Sequence, residues 1–166
     1  MQIPDAEALC ESLHHQMAPA VSPLTFMIGV HTGGAWLAAK LHRTLGLTTP
    51  LGTLDISFYR DDFARVGLNP QVKKSAIPFD VEDAEIILVD DVLYTGRSVR
   101  AAMNELFDYG RPKRIDLAVL IDRGGRELPV AARFTAKSLD LPENQSLNLA
   151  QDKQGILSFQ LVEKKS

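Results

Sequence analysis

The sequence predicts an α/β fold, a mostly parallel sheet flanked by helices, in a single domain over residues 1–166. Two observations carry this. Short apolar runs of strand length, at 25–30 (TFMIGV), 86–89 (IILV) and 115–121 (IDLAVLI), alternate with longer stretches of helical periodicity. The unit formed by 86–89, a helix over 96–109 and 115–121 has the length of a βαβ unit, which should cross over right-handedly.

Each element has its own signal. Residues 5–18 place Ala8, Leu9, Leu13 and Met17 at helical spacing, with Asp5 as N-cap. Residues 25–30 are apolar throughout, as in a strand covered on both faces. Residues 33–45 repeat Trp36, Leu37, Leu41 and Leu45, and Gly46 stops the helix. Residues 51–59 read as a strand. Residues 60–78 hold two prolines and the pair Lys73-Lys74 with little periodicity, the mark of a long functional loop. The helix over 96–109 turns Val99, Met103, Leu106 and Phe107 inward and ends at Gly110 and Pro112. The tail has strand-like pieces at 133–139 and 156–162.

The composition is 45 % hydrophobic and 23 % charged, so a core forms without disulfides or metal staples. A net charge of −3 argues against a protein whose main work is coating nucleic acid. The single cysteine, Cys10, has no partner for an internal disulfide and fits a reducing compartment. No apolar run approaches the roughly 20 residues that span a bilayer. The N-terminus lacks the basic start and apolar stretch of a signal peptide, and the expected setting is the cytoplasm.

The chemistry concentrates at one turn. Asp90 and Asp91 follow the run 86–89, and in an open parallel sheet ligands bind beyond the carboxyl ends of the strands. Two adjacent carboxylates there need a divalent cation, an arginine or a polyhydroxylated ligand. Thr95, Gly96, Arg97 and Ser98 then open a helix. Free backbone N–H groups and the positive end of the helix dipole meet two hydroxyl donors there, which is an anion site. Acids for sugar hydroxyls or Mg²⁺, followed by a phosphate cradle, fit a ribose 5-phosphate. Thr32, Gly33 and Gly34 repeat the same strand–turn–helix logic, although that tripeptide alone also reads as a tight turn. Arg60 beside Asp61 and Asp62 reads equally as a surface charge cluster, and Lys73-Lys74 as solvated surface.

The stretch ILVDDVLYTGRSVRAAM (87–103) resembles the phosphoribosyl-pyrophosphate (PRPP) motif of type I phosphoribosyltransferases, and more narrowly the PyrR family. GVHTGGAWLA (29–38), LDISFYRDDF (54–63) and AVLIDRGGRELP (118–129) extend the resemblance along the chain. It implies the type I phosphoribosyltransferase fold with a small hood built from the termini. It implies a transferase forming UMP and pyrophosphate from uracil and PRPP in pyrimidine salvage, with Mg²⁺ and a homodimer or higher homo-oligomer. Asp90, Asp91 and Arg60 would be catalytic, the two aspartates also placing the metal. Leu93, Tyr94, Thr95, Gly96, Arg97 and Ser98 would hold the 5-phosphate. Thr32, Gly33 and Gly34 would form the pyrophosphate loop, Tyr59, Arg60 and Asp61 would open a loop over the site, and Asp122 and Arg123 would lie near the base.

The same resemblance raises a second function, a UMP-sensing attenuator of pyrimidine genes that binds an mRNA leader. Here the chain departs from the regulators. Gly33 stands where many have arginine, Gly125 where many have histidine, Ala131 at a commonly basic position, and the first helix holds Asp5, Glu7 and Glu11 without Lys or Arg. Residues 111–137 carry seven basic residues against three acidic, while the remainder is strongly acidic. A local basic patch is expected, not a broad basic face. His31, beside the Thr-Gly-Gly turn, is the one histidine near the expected site.

Overall fold

The computed structural model describes residues 1–57 and 75–165. Five parallel strands form its centre: β1 (Thr25–Val30), β2 (Gly52–Leu54), β3 (Glu85–Leu93), β4 (Arg114–Asp122) and β5 (Phe134–Ser138), in the order β2-β1-β3-β4-β5. Helices α1 (Ala6–Met17), α2 (Gly33–Thr44) and α3 (Arg97–Asp108) flank the sheet. A separate antiparallel pair, β6 (Gln145–Gln151) and β7 (Leu157–Glu163), completes the described chain. No helix among the described residues is long and apolar enough to cross a membrane.

The period-two geometry of the strands divides the core in two. Ile87 and Val89 of β3 and Ala118 and Leu120 of β4 face one layer. They meet Leu13 and Met17 of α1, Leu37 and Leu41 of α2, and Leu147, Leu149, Leu157 and Phe159 of the β6–β7 hairpin. Ile86 and Leu88 of β3 and Leu117 and Val119 of β4 face the other layer, against Val99, Ala102 and Leu106 of α3. A sheet covered on both sides explains why its central strands read as continuous apolar runs.

The two chain ends meet in the first layer. Glu7 of α1 pairs with Lys40 of α2, and its Oε1 accepts a hydrogen bond from the Leu157 amide at 2.7 Å. Burial alone would raise the Glu7 carboxyl, but the Lys40 ammonium and the Leu157 amide outweigh it and hold the group below the usual glutamate range. Cys10 is buried beside it, and burial, with Glu7 adding, pushes its thiol up to about 11. At neutral pH that thiol is protonated and packed rather than nucleophilic.

Several expectations need correction. Asp5 caps α1 as expected, accepting from the Glu7 and Ala8 amides. The buried face, however, is Ala6, Cys10, Leu13 and Met17, and Ala8 is exposed. A strand over 51–59 is too long: β2 stops at Leu54. Asp55 accepts from the Ser57 amide and hydroxyl, a local turn that competes with the ladder, while Ala76 pairs antiparallel with Thr53. Phe107 is 55 % exposed rather than inward, one position past the buried Leu106. β6 was not anticipated; its Leu147-Asn148-Leu149 alternation is short and gains meaning only opposite β7.

Candidate functional site

β3 is longer than its apolar run predicts. It continues through Asp90 and Asp91 to Leu93, because pairing with β4 persists at Asp90–Val119, Val92–Ile121 and Leu93–Asp122. The twin aspartates therefore stand in the last turn of a central strand, not beyond it. Asp90 is 7 % exposed, and Asp91 is half-buried. Asp90 Oδ1 accepts from the Asp91 amide at 2.9 Å, and Asp91 Oδ1 accepts from the Val92 amide at 2.9 Å. These local bonds fix the direction of both carboxyl groups.

The strand order places them at a switch point. From β1 the chain crosses through α2 to β2 on one side; from β3 it crosses through α3 to β4 on the other. The turns leaving β1 and β3 thus diverge and open a crevice at the carboxyl edge, where such sheets bind ligands. Both turns are those singled out in the sequence. The 32–34 turn lies directly against the aspartates. A Cβ on Gly33 would come within 2.4 Å of Asp91 Oδ2, and one on Gly34 within 2.5 Å of the Val89 carbonyl oxygen and 3.0 Å of Asp90 Cα. At Gly34 those neighbours are backbone, so only a residue without a side chain fits; at Gly33 they belong to the Asp91 side chain.

The helix starts differ in a way that matters. α1 has a side-chain cap, whereas neither Thr32 at the start of α2 nor Gly96 at the start of α3 makes one. Amides in those first turns have no intrahelical acceptor, and two partial positive charges flank one acidic pair. Gly96 adopts φ +92°, which turns the chain from β3 into α3, so that helix begins at Arg97 rather than at Gly96. Thr95 Oγ1 accepts from the Arg97 amide at 3.2 Å, and Ser98 sits in the first turn.

A third loop leaves β4. Asp122 Oδ1 accepts from the Gly124 amide at 2.9 Å, and its Oδ2 pairs with Arg126 at 2.5 Å. Arg123 is only 6 % exposed. Its guanidinium lies 3.9 Å from the centroid of the Tyr94 ring and donates to the carbonyls of Gln145 at 2.8 Å, Pro142 at 3.2 Å and Leu141 at 3.4 Å. Both residues named for the base therefore have internal partners, and Arg123 ties the β4 loop to the chain entering β6. His31, at the end of β1, is half-buried, and its amide donates to the Leu54 carbonyl. Tyr59, Arg60, Asp61, Lys73 and Lys74 lie outside the described residues.

Leu93, Tyr94, Thr95, Gly96, Arg97 and Ser98 are thus brought together with Thr32, Gly33, Gly34, Asp90 and Asp91 around one edge. Arg126 joins this group through Tyr94; in sequence it stands only within the 118–129 stretch and the basic run 111–137, with nothing that points to this role.

The carboxylate pair also fits Mg²⁺. Among the described residues no group of three or more His, Cys, Asp or Glu side chains could cage a metal. Two hard carboxylates beside two helix starts that lack side-chain caps suit a cation that takes its other oxygens from phosphates and water.

Residues 8–146 match the phosphoribosyl transferase domain family. The chain is 52 % identical over 143 residues to "Bifunctional protein PyrR" of Nitrosococcus oceani, covering 85 % of this chain and 81 % of that protein. It is 44 % identical over 155 residues to the protein of that name from Pseudomonas fluorescens, covering 90 % and 92 %. Among solved structures, a hypoxanthine-guanine phosphoribosyltransferase from Bacillus anthracis superposes with TM-score 0.64 at 18 % identity, over 84 % of this chain and 86 % of that one. A Leishmania tarentolae HGPRT-ase in complex with GMP gives TM-score 0.60 at 14 % identity, over 82 % and 79 %. These last two share the fold.

Proposed function

The chain belongs to the PyrR family of phosphoribosyltransferases, and from that premise we propose that the crevice at the switch point transfers the phosphoribosyl group of PRPP to uracil, giving UMP and pyrophosphate. The observation that carries the assignment of roles is the packing of the 32–34 turn onto Asp90 and Asp91, with the 94–98 turn continuing from the same strand.

The 5-phosphate takes the start of α3, where backbone amides and the hydroxyls of Thr95 and Ser98 donate to it. Arg97, Tyr94 and Leu93 complete that turn. Asp90 and Asp91 face the ribose hydroxyls, and their negative charge favours the oxocarbenium-like state at the sugar C1. The pyrophosphate leaves toward the start of α2, where Thr32, Gly33 and Gly34 offer backbone N–H groups. Mg²⁺, held by Asp90 and Asp91 together with the substrate, would neutralise the pyrophosphate. Arg60 is assigned to the same end from the resemblance. The loop after β4 sets the base position; Asp122 and Arg123 shape that pocket from beneath, through the contacts they already make. No covalent intermediate is required, and the protonated Cys10 thiol plays no part. A homo-oligomer is the expected assembly.

The test is the double variant Asp90→Asn, Asp91→Asn in a radiolabelled uracil and PRPP assay. UMP formation should fall at least 100-fold, on the scale of removing preorganised electrostatic groups, while circular dichroism stays unchanged. Full activity in that variant would sink the assignment.

A further inference from the structure

The segment after β4 does more than border the site. Its contacts with the phosphate turn are dense and specific. Arg126 Nη1 donates to the Tyr94 carbonyl at 2.7 Å, Nε donates to the Val130 carbonyl at 2.9 Å, and Nη2 pairs with Asp122 Oδ2 at 2.5 Å. A longer bond reaches the Gly124 carbonyl at 3.5 Å. The Thr95 carbonyl accepts from the amides of Glu127 at 2.9 Å and Leu128 at 3.1 Å. The Tyr94 ring lies between the Arg123 guanidinium and the Gly125 backbone: a Cβ on Gly125 would fall 2.4 Å from the ring. Gly96 packs on Val130 and Leu128, and Arg97 pairs with Glu127 at 3.6 Å.

Every residue from Tyr94 to Arg97 is therefore gripped by something between Arg123 and Val130. A turn that binds phosphate through backbone amides has its affinity set by how well those amides are held in register. The carbonyls of Tyr94 and Thr95 in that turn both accept from this segment. Arg126 is the hub, because one planar guanidinium joins the turn to Asp122 at the end of β4 and to Val130 beyond. A lysine ammonium, with three donors on a single nitrogen, cannot span those acceptors at once.

We infer that Arg126 is a positioning residue for the 5-phosphate, the centre of a brace over 123–130 that fixes the backbone of the 94–97 turn. The inference rests on the proposed transferase reading for its substrate, but not for its measurement, because binding of ribose 5-phosphate alone also reports on it. Arg126 acts through Tyr94 and does not touch substrate.

The experiment compares wild type with Arg126→Gln and Arg126→Lys, using Arg114→Gln, an exposed ion-pair residue at the opposite edge of the sheet, as control. In Arg126→Gln, KM for PRPP should rise about tenfold, the scale of one lost charge-assisted hydrogen bond, with kcat and KM for uracil within twofold. Arg126→Lys should fall between, and Arg114→Gln should match wild type. Calorimetric affinity for ribose 5-phosphate should weaken in parallel. In wild type, that ligand should slow hydrogen exchange at the Glu127 and Leu128 amides, a readout that needs no variant to fold. A fall in melting temperature with unchanged KM and ribose 5-phosphate affinity, a rise confined to KM for uracil, or unchanged exchange at those amides would overturn the inference. If wild type binds ribose 5-phosphate but forms no UMP, the transferase reading fails and the brace is still tested.

Discussion

At the scale of single residues, close approach explains the site better than residue chemistry does. Gly34 lets the start of α2 rest on Val89 and Asp90 with no room for a methyl group. Gly34→Ala must push backbone against backbone, at a cost of about 1–3 kcal/mol. The turn would then lift from the aspartates, and PRPP affinity should fall at least tenfold when measured by calorimetry with the folded variant. Gly33 differs: the nearest atoms to its missing Cβ belong to the Asp91 side chain rather than to backbone. The acid pair and the Thr-Gly turns were legible from residue types. The internal partners of Arg123 were not legible from sequence, because nothing in the chain order shows that its donors face carbonyls 18 to 22 residues later.

At the scale of elements, α3 carries an unexpected charge on its buried face. Glu105 is 7 % exposed, and its Oε2 has no hydrogen-bond partner among the described residues. Burial raises its carboxyl above the ordinary value, with a Ser75 hydrogen bond opposing and Asp55 and Asp108 adding to the rise. A folded-state pKa above the unfolded one means that the folded protein holds the extra proton. Stability is then lost as pH rises through that window. Glu105→Gln should therefore be more stable than wild type at pH 7 by about 1 kcal/mol, or roughly 2–4 °C in melting temperature. The advantage should shrink toward pH 4, where both carry a neutral side chain. Calorimetric melts at the two pH values check this; an equal advantage at both would exclude titration as the cause. The helix itself was plain from Val99 and Leu106, but its polar buried position was not, since periodicity records only apolar residues.

At the scale of the whole molecule, the question is what the basic stretch 111–137 is for. Its seven basic residues are largely committed within the fold. Arg123 and Arg126 point into the brace, Arg114 and Arg133 both pair with Asp116 at 3.1 and 2.9 Å, and Lys113 pairs with Glu85 at 3.2 Å. Of the seven, Arg111, Arg123 and Lys137 show no acidic side-chain partner among the described residues, and Arg123 is spent on backbone carbonyls. A surface so neutralised releases few counterions on meeting RNA. In a salt-titrated gel shift with and without UMP, the chain's own pyrimidine-operon leader should bind no tighter than scrambled RNA, with a log–log salt slope of about −1 to −2. A tenfold preference for the leader would favour the attenuator reading instead.

The sequence by itself determined the parallel α/β plan, the positions of β1, β4 and the three helices, and the two helix-opening turns proposed to bind anions. Each of these is encoded by local periodicity or by glycine placement within a few neighbours. The tertiary structure alone decided that β3 runs on through its aspartates, that residues 145–151 form a strand, and that the stretch after β4 grips the 94–97 turn. Those features depend on partners distant in the chain: the β4 ladder, β7, and the carbonyls of Tyr94 and Thr95. A hydrogen bond across 32 residues leaves no trace in local pattern, because either end is satisfied only when the fold brings both together.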